Sequence, residues 1–591
     1  MSVDGSAPGA VAGGLDEPEE LMPAPGSLDL AGPGDQPTVA DWEAAAAAVL
    51  RKSRRLSADD PDSLVWDKLA RRTLDGITVT PLGTAALVDD LQTAGRPTRT
   101  GDWDIRAHLA GPDAKALNET ALVDLDGGVT SLWLQVGADA DLSTVLDGVL
   151  LDLAPVVLDA PYGDQVAVAQ AFLGVLGDTT PAPGTNLGGS GDDLMDVARL
   201  ALERGVLGVV VDATRVHDRG ASDVQELGWS MATAADYLRR LTDAGIELDD
   251  AIGLFEFRYA ATDEQFPTIA KLRAARRLWA RVVELSGGSP IEQRQHVVTS
   301  RPMMSRYDPY VNMLRTTVAG FAAGVGGADS VTVLPFDAPL GAPEVLGRRV
   351  ARNTSALLMS ESHVAKVADP AGGAYAIEKL TDDLALAGWA ELARIEDDGP
   401  DALEERIAET VARREAEVAR RKRPITGLTE FPNLAEVLPE RQPDGAFDGV
   451  RSYGASFEAL RDDPAATPVF LATLGTIASH TARATFAANL FAAGGIATEV
   501  AGATSGVEDL VAAYGGQPVV CLAGSDPTYA EWGTAAATAL REAGATHVII
   551  AGVSTRAPSS PGSTTELYGA DDGFVLGVDA LDFLTRTREK L

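Results

Sequence analysis

Short apolar runs alternate with longer amphipathic stretches between about residues 75 and 390, and this alternation constrains the fold more than any other feature. Five runs have the length and residue types of buried strands: SLWLQV (131–136), PVVLDA (155–160), GVLGVVVDA (205–213), IGLFEFRYA (252–260) and DSVTVLPFD (329–337). Each is followed by a helical pattern, such as FPTIAKLRAARRLWARVVELSG. Repeated strand–helix units of this kind predict a parallel (β/α)8 barrel of the TIM type, although they are also compatible with an open doubly wound sheet.

A second, shorter α/β unit follows a Pro-rich stretch. Its five strand-like runs are TPVFLATLG (467–475), ATEVAG (497–502), PVVCLAG (518–524), THVIIAG (546–552) and GFVLGV (573–578). Five strands separated by helical segments predict a small open sheet of the flavodoxin type. We therefore expect the barrel over residues 91–423, a linker over 424–465 and a flavodoxin-like C-terminal domain over 466–591.

The N-terminal part of the chain has a different composition. Residues 1–40 are rich in Gly, Pro, Ala and Asp, so they bury too little apolar surface to offset the entropy of ordering and are predicted to be disordered. Residues 41–90 open with DWEAAAAAVLRKSRR, whose helix formers and basic end predict a helical arm. The first residues lack a basic segment followed by an apolar core, so we expect a cytoplasmic protein without a signal peptide or membrane span.

Charge and cysteine content exclude several classes of function. The formal net charge of −37 argues against a nucleic-acid or anionic-membrane partner. The single cysteine, Cys521, excludes an intrachain disulfide and a multi-cysteine metal site. Because Cys521 lies in the apolar run PVVCLAG, we predict a small buried core residue.

Four long segments resemble successive signatures of the methylmalonyl-CoA mutase barrel, in that family's order. They are GRPTRTGDWDIRAHL (95–109), AKLRAARRLWARV (270–282), YDPYVNMLRTTVAGFAAGVGGADSV (307–331) and RVARNTSALLMSESHVAKVADPAGGAYAIEKLT (349–381). With the C-terminal domain, the resemblance covers nearly everything from about residue 60 onward. It implies a barrel that admits a CoA ester and a C-terminal domain of the type that holds a corrin. In bacterial enzymes of this family, a catalytic large subunit often pairs with a related small one.

The resemblance also indicates where a cobalt ligand would lie. In active members the ligand is the histidine of an Asp-x-His-x-x-Gly loop after the first strand of the C-terminal domain. Here the stretch ASHTAR puts His480 at that position, but Ala478 replaces the aspartate and Arg483 replaces the glycine. Without the aspartate, the imidazole loses the acceptor that would orient it, and an arginine replaces the residue that lets the loop pass close to the cofactor. We therefore predict that His480 is a degenerate ligand position and a packing or surface histidine.

Other positions that resemble the family's functional sites are also altered. The family's Ser-x-Leu, paired glycines and Thr-Pro-Gly-Thr of the corrin site correspond here to AGS (523–525), AG (551–552) and VLGV (575–578). In the barrel, His217 matches the histidine of a Tyr-His pair that contacts the thioester, with Val216 in place of the tyrosine. We expect His217 to be a relic that hydrogen-bonds internally. The sequence VTVLP (331–335) replaces a polar segment of the barrel mouth.

Several polar residues remain open to either a structural or a ligand-binding role. The Gly-rich NLGGSGDD (186–193) has no lysine and is followed by acids, so it is predicted to be a loop rather than a phosphate site. Five polar residues of the barrel signatures either line a pocket or close the barrel: Arg106, Asn312, Arg315, Arg352 and Asn353.

These losses together predict a small subunit that is non-catalytic and stabilising. No catalytic or metal-binding residue is assigned to this chain. Adenosylcobalamin is expected on the partner, a methylmalonyl-CoA mutase large (alpha) subunit, in a heterodimer that interconverts (R)-methylmalonyl-CoA and succinyl-CoA in propionate metabolism. Two alternatives are a self-sufficient acyl-CoA mutase with His480 as the cobalt ligand and a non-catalytic acyl-CoA-binding module.

Overall fold

A computed structural model describes residues 37–91, 95–161, 163–553 and 567–591, so the tail predicted to be disordered lies almost entirely outside the described residues. The chain separates into two compact units, one ending at Arg71 and the other beginning at Arg72. The first unit contains helices α1 (Val39–Lys52) and α2 (Val65–Leu69). A capping box between Thr38 and Asp41 starts α1, because each side chain bonds to the other residue's backbone N–H.

The second unit contains a closed barrel of eight parallel strands. Its strands are β1 (Asp104–Ala110), β2 (Ser131–Gln135), β3 (Val156–Asp159), β4 (Asn186–Gly189), β5 (Leu207–Asp212), β6 (Phe255–Ala261), β7 (Gln295–Thr299) and β8 (Ser330–Thr332). The barrel closes where β8 pairs in parallel with both β7 and β1. The prediction of a TIM-type barrel is therefore confirmed, and the open doubly wound sheet is wrong for this part of the chain.

Strand β4 corrects one prediction, because it lies in the Gly-rich stretch that was expected to be a loop. Gly188 has a φ of +77°, a conformation that favours glycine, and its backbone N–H donates to the Asn186 side chain at 2.9 Å. The Asn186 amide in turn donates to the carbonyl of Val209 on β5 at 3.2 Å. A Cβ at Gly189 would lie 2.6 Å from the Gly208 carbonyl, so glycine here permits close strand packing.

Helices surround the barrel and cover the apolar faces of its strands. They are α3 (Ala114–Asp126), α4 (Leu142–Val145), α5 (Gln165–Leu176), α6 (Leu194–Arg204), α7 (Thr214–Asp218), α8 (Asp223–Asp243), α9 (Leu248–Gly253), α10 (Gln265–Ser286), α11 (Val311–Val325), α12 (Val345–Ser360), α13 (Tyr375–Asp398) and α14 (Pro400–Ala419). For example, Trp279 on α10 packs its ring 4.9 Å from that of Phe257 on β6. Within the described ranges, every helix falls short of the length or apolarity that a bilayer span requires.

A five-stranded parallel sheet forms the C-terminal part of this unit. Its strands are β9 (Val469–Thr473), β10 (Thr498–Val500), β11 (Val519–Ala523), β12 (His547–Ala551) and β13 (Asp572–Phe574). The order β10-β9-β11-β12-β13 is that of flavodoxin-like sheets, which confirms the predicted fold. Cys521 is fully buried in β11, and burial raises the pKa of its thiol.

The helices of the C-terminal part are α15 (Ala455–Asp462), α16 (Ile477–Ala493), α17 (Val507–Ala513), α18 (Asp526–Thr528), α19 (Thr534–Glu542) and α20 (Ala580–Arg588). A five-residue π-helical turn, Tyr529–Gly533, joins α18 to α19. In sheets of this type, ligands bind outside the carboxyl ends of the strands, where the strand order reverses. That place lies after β9 and β11, and the residues after β12 are next to it because β12 pairs with β11.

Candidate functional site

The barrel interior is occupied by paired charges. Glu256 and Arg258 alternate with aromatic residues along β6, so both side chains point inward. The Arg106 guanidinium of β1 donates to Glu256 at 2.8 Å, and both side chains are almost completely buried. Arg258 bonds to Asp212 of β5 at 2.8 Å and lies 3.9 Å above the ring of Trp133. Charged side chains within a single apolar run, as in IGLFEFRYA, were the sequence signal for this network.

The electrostatics of this interior follow from burial and pairing. Burial alone would raise the pKa of Asp212. The Arg258 and Arg215 guanidinium groups lower this pKa by more than burial raises it, so the net pKa lies below its usual value. Burial and the neighbouring Arg106 and Arg258 lower the pKa of His296 well below its usual value. The neutral His296 hydrogen-bonds through Nε2 to the Thr332 hydroxyl at 2.8 Å. The interior is thus a packed network of fixed charges and hydrogen bonds.

His217 lies on α7, immediately after β5, and has 3% of its surface exposed. Its Nε2 is 2.7 Å from the Ser300 hydroxyl, and its Nδ1 is 3.5 Å from a Glu226 carboxylate oxygen. Glu226 is also bonded by the Lys271 ammonium at 2.6 Å. The histidine is held by internal partners, while Val216, at the family's tyrosine position, is fully buried. The geometry supports the relic interpretation of His217, although its lack of a catalytic role stays a prediction.

A cavity of about 340 Å³ lies at the carboxyl-terminal mouth of the barrel, next to His217. Asp75, Asp263, Arg315 and other charged side chains line it. Burial raises the pKa of Asp75 to about 6, although the hydrogen bond from the Ser222 hydroxyl lowers it. Burial also raises the pKa of Asp263. No residue spacing indicated Asp75 or Asp263 as site residues, because they come from segments far apart in the chain.

The five polar residues of the barrel signatures have different environments. Asn312 is buried and bonds to Ser305 N at 3.0 Å, so it has a structural role. Arg315 donates to Asn312 at 2.7 Å and also lines the barrel-mouth cavity. Arg352 pairs with Asp124 at 3.1 Å beside a second, smaller cavity. Asn353 is exposed. Arg106, the fifth residue, points into the barrel and pairs with Glu256.

His480 lies in the first turn of α16, and the connection from β9 is only three residues long. Its side chain is buried, and Nδ1 has no hydrogen-bond partner among the described residues. Ala478, two residues earlier, is exposed and carries no acceptor for the imidazole. The segment that corresponds to the family's ligand loop is helical here. Among the described residues, none forms a hydrogen bond with Nδ1 of its histidine that would orient the ring.

Arg483 fills the sheet edge where a ligand would approach. Its guanidinium donates to the carbonyl of Gly524 at 2.6 Å, pairs with Asp526, and lies 4.9 Å above the ring of Tyr529. A Cβ added at Gly552 would clash with the Arg483 side chain. The Tyr529 hydroxyl donates to the Ala551 carbonyl at 2.8 Å and accepts from the Gly524 N–H at 3.0 Å. Two large side chains thus satisfy the backbone groups at the carboxyl ends of β11 and β12.

Comparisons with known proteins place this architecture in a family. The family model described as methylmalonyl-CoA mutase matches residues 204–506. A methylmalonyl-CoA mutase small subunit from Streptomyces virginiae is 42% identical over 95% of this chain and 98% of its own length. The chain belongs to the methylmalonyl-CoA mutase family. The resemblance inferred from the four barrel segments is confirmed, and the family is one of isomerases.

Other relatives show how far the similarity extends. The small subunit from Propionibacterium freudenreichii subsp. shermanii is 34% identical, with 96% of this chain and 97% of that protein covered. A methylmalonyl-CoA mutase from Rhizobium meliloti is 27% identical, and the match covers 67% of this chain and 64% of that protein. The match thus covers these two small subunits almost from end to end, and about two thirds of the Rhizobium meliloti mutase.

Proposed function

We propose that this chain is the non-catalytic, stabilising small subunit of an adenosylcobalamin-dependent methylmalonyl-CoA mutase. In this proposal it forms a heterodimer with a catalytic large subunit in the cytoplasm. The complex interconverts (R)-methylmalonyl-CoA and succinyl-CoA, and the large subunit carries the cofactor. The end-to-end similarity to small subunits supports the pairing.

The observation that carries the proposal is the state of the C-terminal sheet edge. A corrin site needs an oriented imidazole and backbone that the cofactor can approach closely. Here His480 Nδ1 has no acceptor among the described residues, and the guanidinium of Arg483 occupies the space beside Gly524 and Gly552. These residues do not fit a cobalamin, so we assign none of the reaction's steps to this domain.

The barrel supports the same proposal. Radical rearrangement of a CoA ester needs a barrel that admits the substrate and holds its thioester within reach of the radical. The ion pairs of Arg106 with Glu256 and of Arg258 with Asp212 occupy the barrel interior. Separating these charges to admit a ligand would leave them buried and unpaired, which is strongly unfavourable. This supports a barrel whose role is structural.

The pairing is tested by mixing the purified chain with a large subunit and measuring molar mass by size-exclusion chromatography with light scattering. We expect a 1:1 complex with an interface on the order of 2,000 Å² or more, as in obligate complexes. Mutase activity should require the large subunit and be absent from this chain alone. Activity of this chain alone with added adenosylcobalamin would contradict the proposal.

A variant of this chain tests its non-catalytic role within the complex. His217→Gln keeps a hydrogen-bonding side chain beside Ser300 but removes the group that could exchange a proton with a substrate. The assembled complex should keep its kcat and KM within about twofold, because a group without a part in the chemistry makes no transition-state contact. A large loss of kcat at unchanged complex yield would place His217 in the reaction.

The barrel-mouth cavity favours one second candidate, a non-catalytic acyl-CoA-binding module. At about 340 Å³, its volume lies at the lower end of ordinary ligand sites, and His217 and Arg315 line it. Thermal unfolding of the isolated chain with and without CoA esters separates the two candidates. A saturable rise in the unfolding midpoint would favour the binding module, because a ligand that binds only the folded state stabilises it.

A further inference from the structure

A second cavity, of about 90 Å³, lies beside the carboxyl-terminal ends of β1 and β8. The N-terminal half of α12 forms one wall, and apolar residues that include Val333, Leu334 and Phe447 form much of the rest. One water needs on the order of 10–15 Å³ of such space, so this volume admits an ion of the size of phosphate or a short carboxylate. Arg301, Arg348 and Arg352 all line it, and we name it the arginine cavity.

A carboxylate anchors each of the three guanidinium groups. Arg301 donates through Nη1 to Asp218 at 3.0 Å, while its buried Nε has no hydrogen-bond partner among the described residues. Arg348 and Arg352 share a single carboxylate, that of Asp124, and their Nε atoms likewise have no partner there. The anchoring fixes the side chains, so binding an anion would cost little further side-chain ordering.

Three arginines at the cavity are paired with two carboxylates, which leaves one positive charge in excess before the exposed Asp444 is counted. Asp124 neutralises one of its two arginine partners, and Asp218 neutralises Arg301. Among the described residues, the lining contains one more carboxylate, that of Asp444, which is exposed. Burial and the positive charge of Arg301 lower the pKa of His108, which also lines the cavity, to about 3. His108 is therefore neutral, and it offers a hydrogen-bonding ring rather than a further charge.

Guanidinium groups in a partly dehydrated pocket are the side chains that recognise oxyanions best, because their planar N–H groups match two oxygens at once. We propose that the arginine cavity binds a compact oxyanion, a phosphate or a small carboxylate, through Arg301, Arg348 and Arg352. The bound anion would balance positive charge that the paired carboxylates Asp124 and Asp218 leave over. This proposal goes beyond the proposed function, since it requires neither a large subunit nor cobalamin.

The test uses the full chain, with sodium phosphate and sodium acetate titrated separately at an ionic strength held constant with sodium chloride. The midpoint of thermal unfolding should rise and saturate with at least one of the two anions. A response to phosphate alone identifies a phosphate site, and a response to acetate alone identifies a carboxylate site. No saturable response to either anion would overturn the proposal.

Variants locate the binding. Arg352→Gln and Arg348→Gln should each weaken the apparent affinity about tenfold or more, as expected for the loss of a charge-assisted hydrogen bond. The matched control is Arg277→Gln on α10, which removes a comparable, partly buried arginine paired with Asp382 at 2.6 Å. The control should bind the anion like the wild type. Unchanged affinity in both cavity variants, with normal folding by circular dichroism, would overturn the proposal, and the use of two variants keeps the test open if one fails to fold.

Discussion

Replacing Glu256 by glutamine removes one charge from the salt bridge inside the barrel. The Glu256 side chain is completely buried, and the Arg106 residue is 2% exposed, so the remaining guanidinium charge has almost no access to water. The neutral amide can still accept a hydrogen bond but cannot balance the charge. Breaking a buried ion pair by removing one partner typically costs about 3–5 kcal/mol, and we expect Glu256→Gln to lower the free energy of unfolding by that amount.

The double variant Arg106→Met/Glu256→Met separates charge from packing. Two apolar side chains of similar length fill the same space without a buried charge, and such replacements are often neutral or stabilising. The hydrogen bond from Arg106 to the Ser131 hydroxyl, 3.2 Å long, is lost in the double variant and should cost about 1 kcal/mol. The double variant should therefore be clearly more stable than Glu256→Gln alone.

Urea denaturation followed by tryptophan fluorescence measures these effects, because Trp133 is buried in the barrel beside this network. Glu396→Gln serves as the control, since the pair of Glu396 with Arg239 is exposed and should be worth only about 0–1 kcal/mol. A loss for Glu256→Gln no larger than for this control would refute the reasoning, because it would mean that water or a ligand reaches the barrel interior.

Three further predictions concern single sites. Because burial raises the pKa of Asp75 to about 6, above its usual 3.8, the folded state binds a proton more tightly than the unfolded state. Stability should therefore fall as pH rises from about 4 to about 6, and Asp75→Asn should flatten that fall in the thermal midpoint. Arg483→Ala should lower stability by about 1–3 kcal/mol through the lost bond to Gly524, as measured in urea, and the desalted variant should still show no cobalamin absorbance. Buried Cys521 should not react with a thiol reagent in the native protein but should react fully in urea, and rapid native labelling would contradict its position.

Strands could be predicted from the sequence wherever they lie in a clear apolar run. All five strands of the C-terminal sheet and five of the eight barrel strands overlap the predicted runs, although β6 ends one residue after its run and β13 begins one residue before its run. Strand β4 was missed because Asn186 and its glycines carry no apolar pattern, and pairing with the neighbouring strands β3 and β5 holds it in place. Local propensity cannot report such tertiary pairing.

The loss of the family's corrin-site residues could be predicted from the sequence, but the contacts of the side chains that replace them could not. The substitutions at Ala478 and Arg483 are visible in the sequence. That the Arg483 guanidinium fills the sheet edge, together with Tyr529, depends on contacts between residues far apart in the chain. The same holds for the salt bridge of Arg106 with Glu256, which joins strands on different sides of the barrel. Barrel closure decides which buried charges meet as ion pairs. The apolar periodicity of the sequence does not specify these pairings.

The most direct test of the central claim is a visible absorption spectrum of the purified chain after incubation with adenosylcobalamin and desalting. We expect a colourless protein, because Arg483 occupies the sheet edge and the described residues offer no acceptor that would orient His480. Mutase activity should appear when a large subunit loaded with adenosylcobalamin is added to the same preparation. A red protein that retains the corrin bands through desalting, and loses them in His480→Ala, would contradict the account.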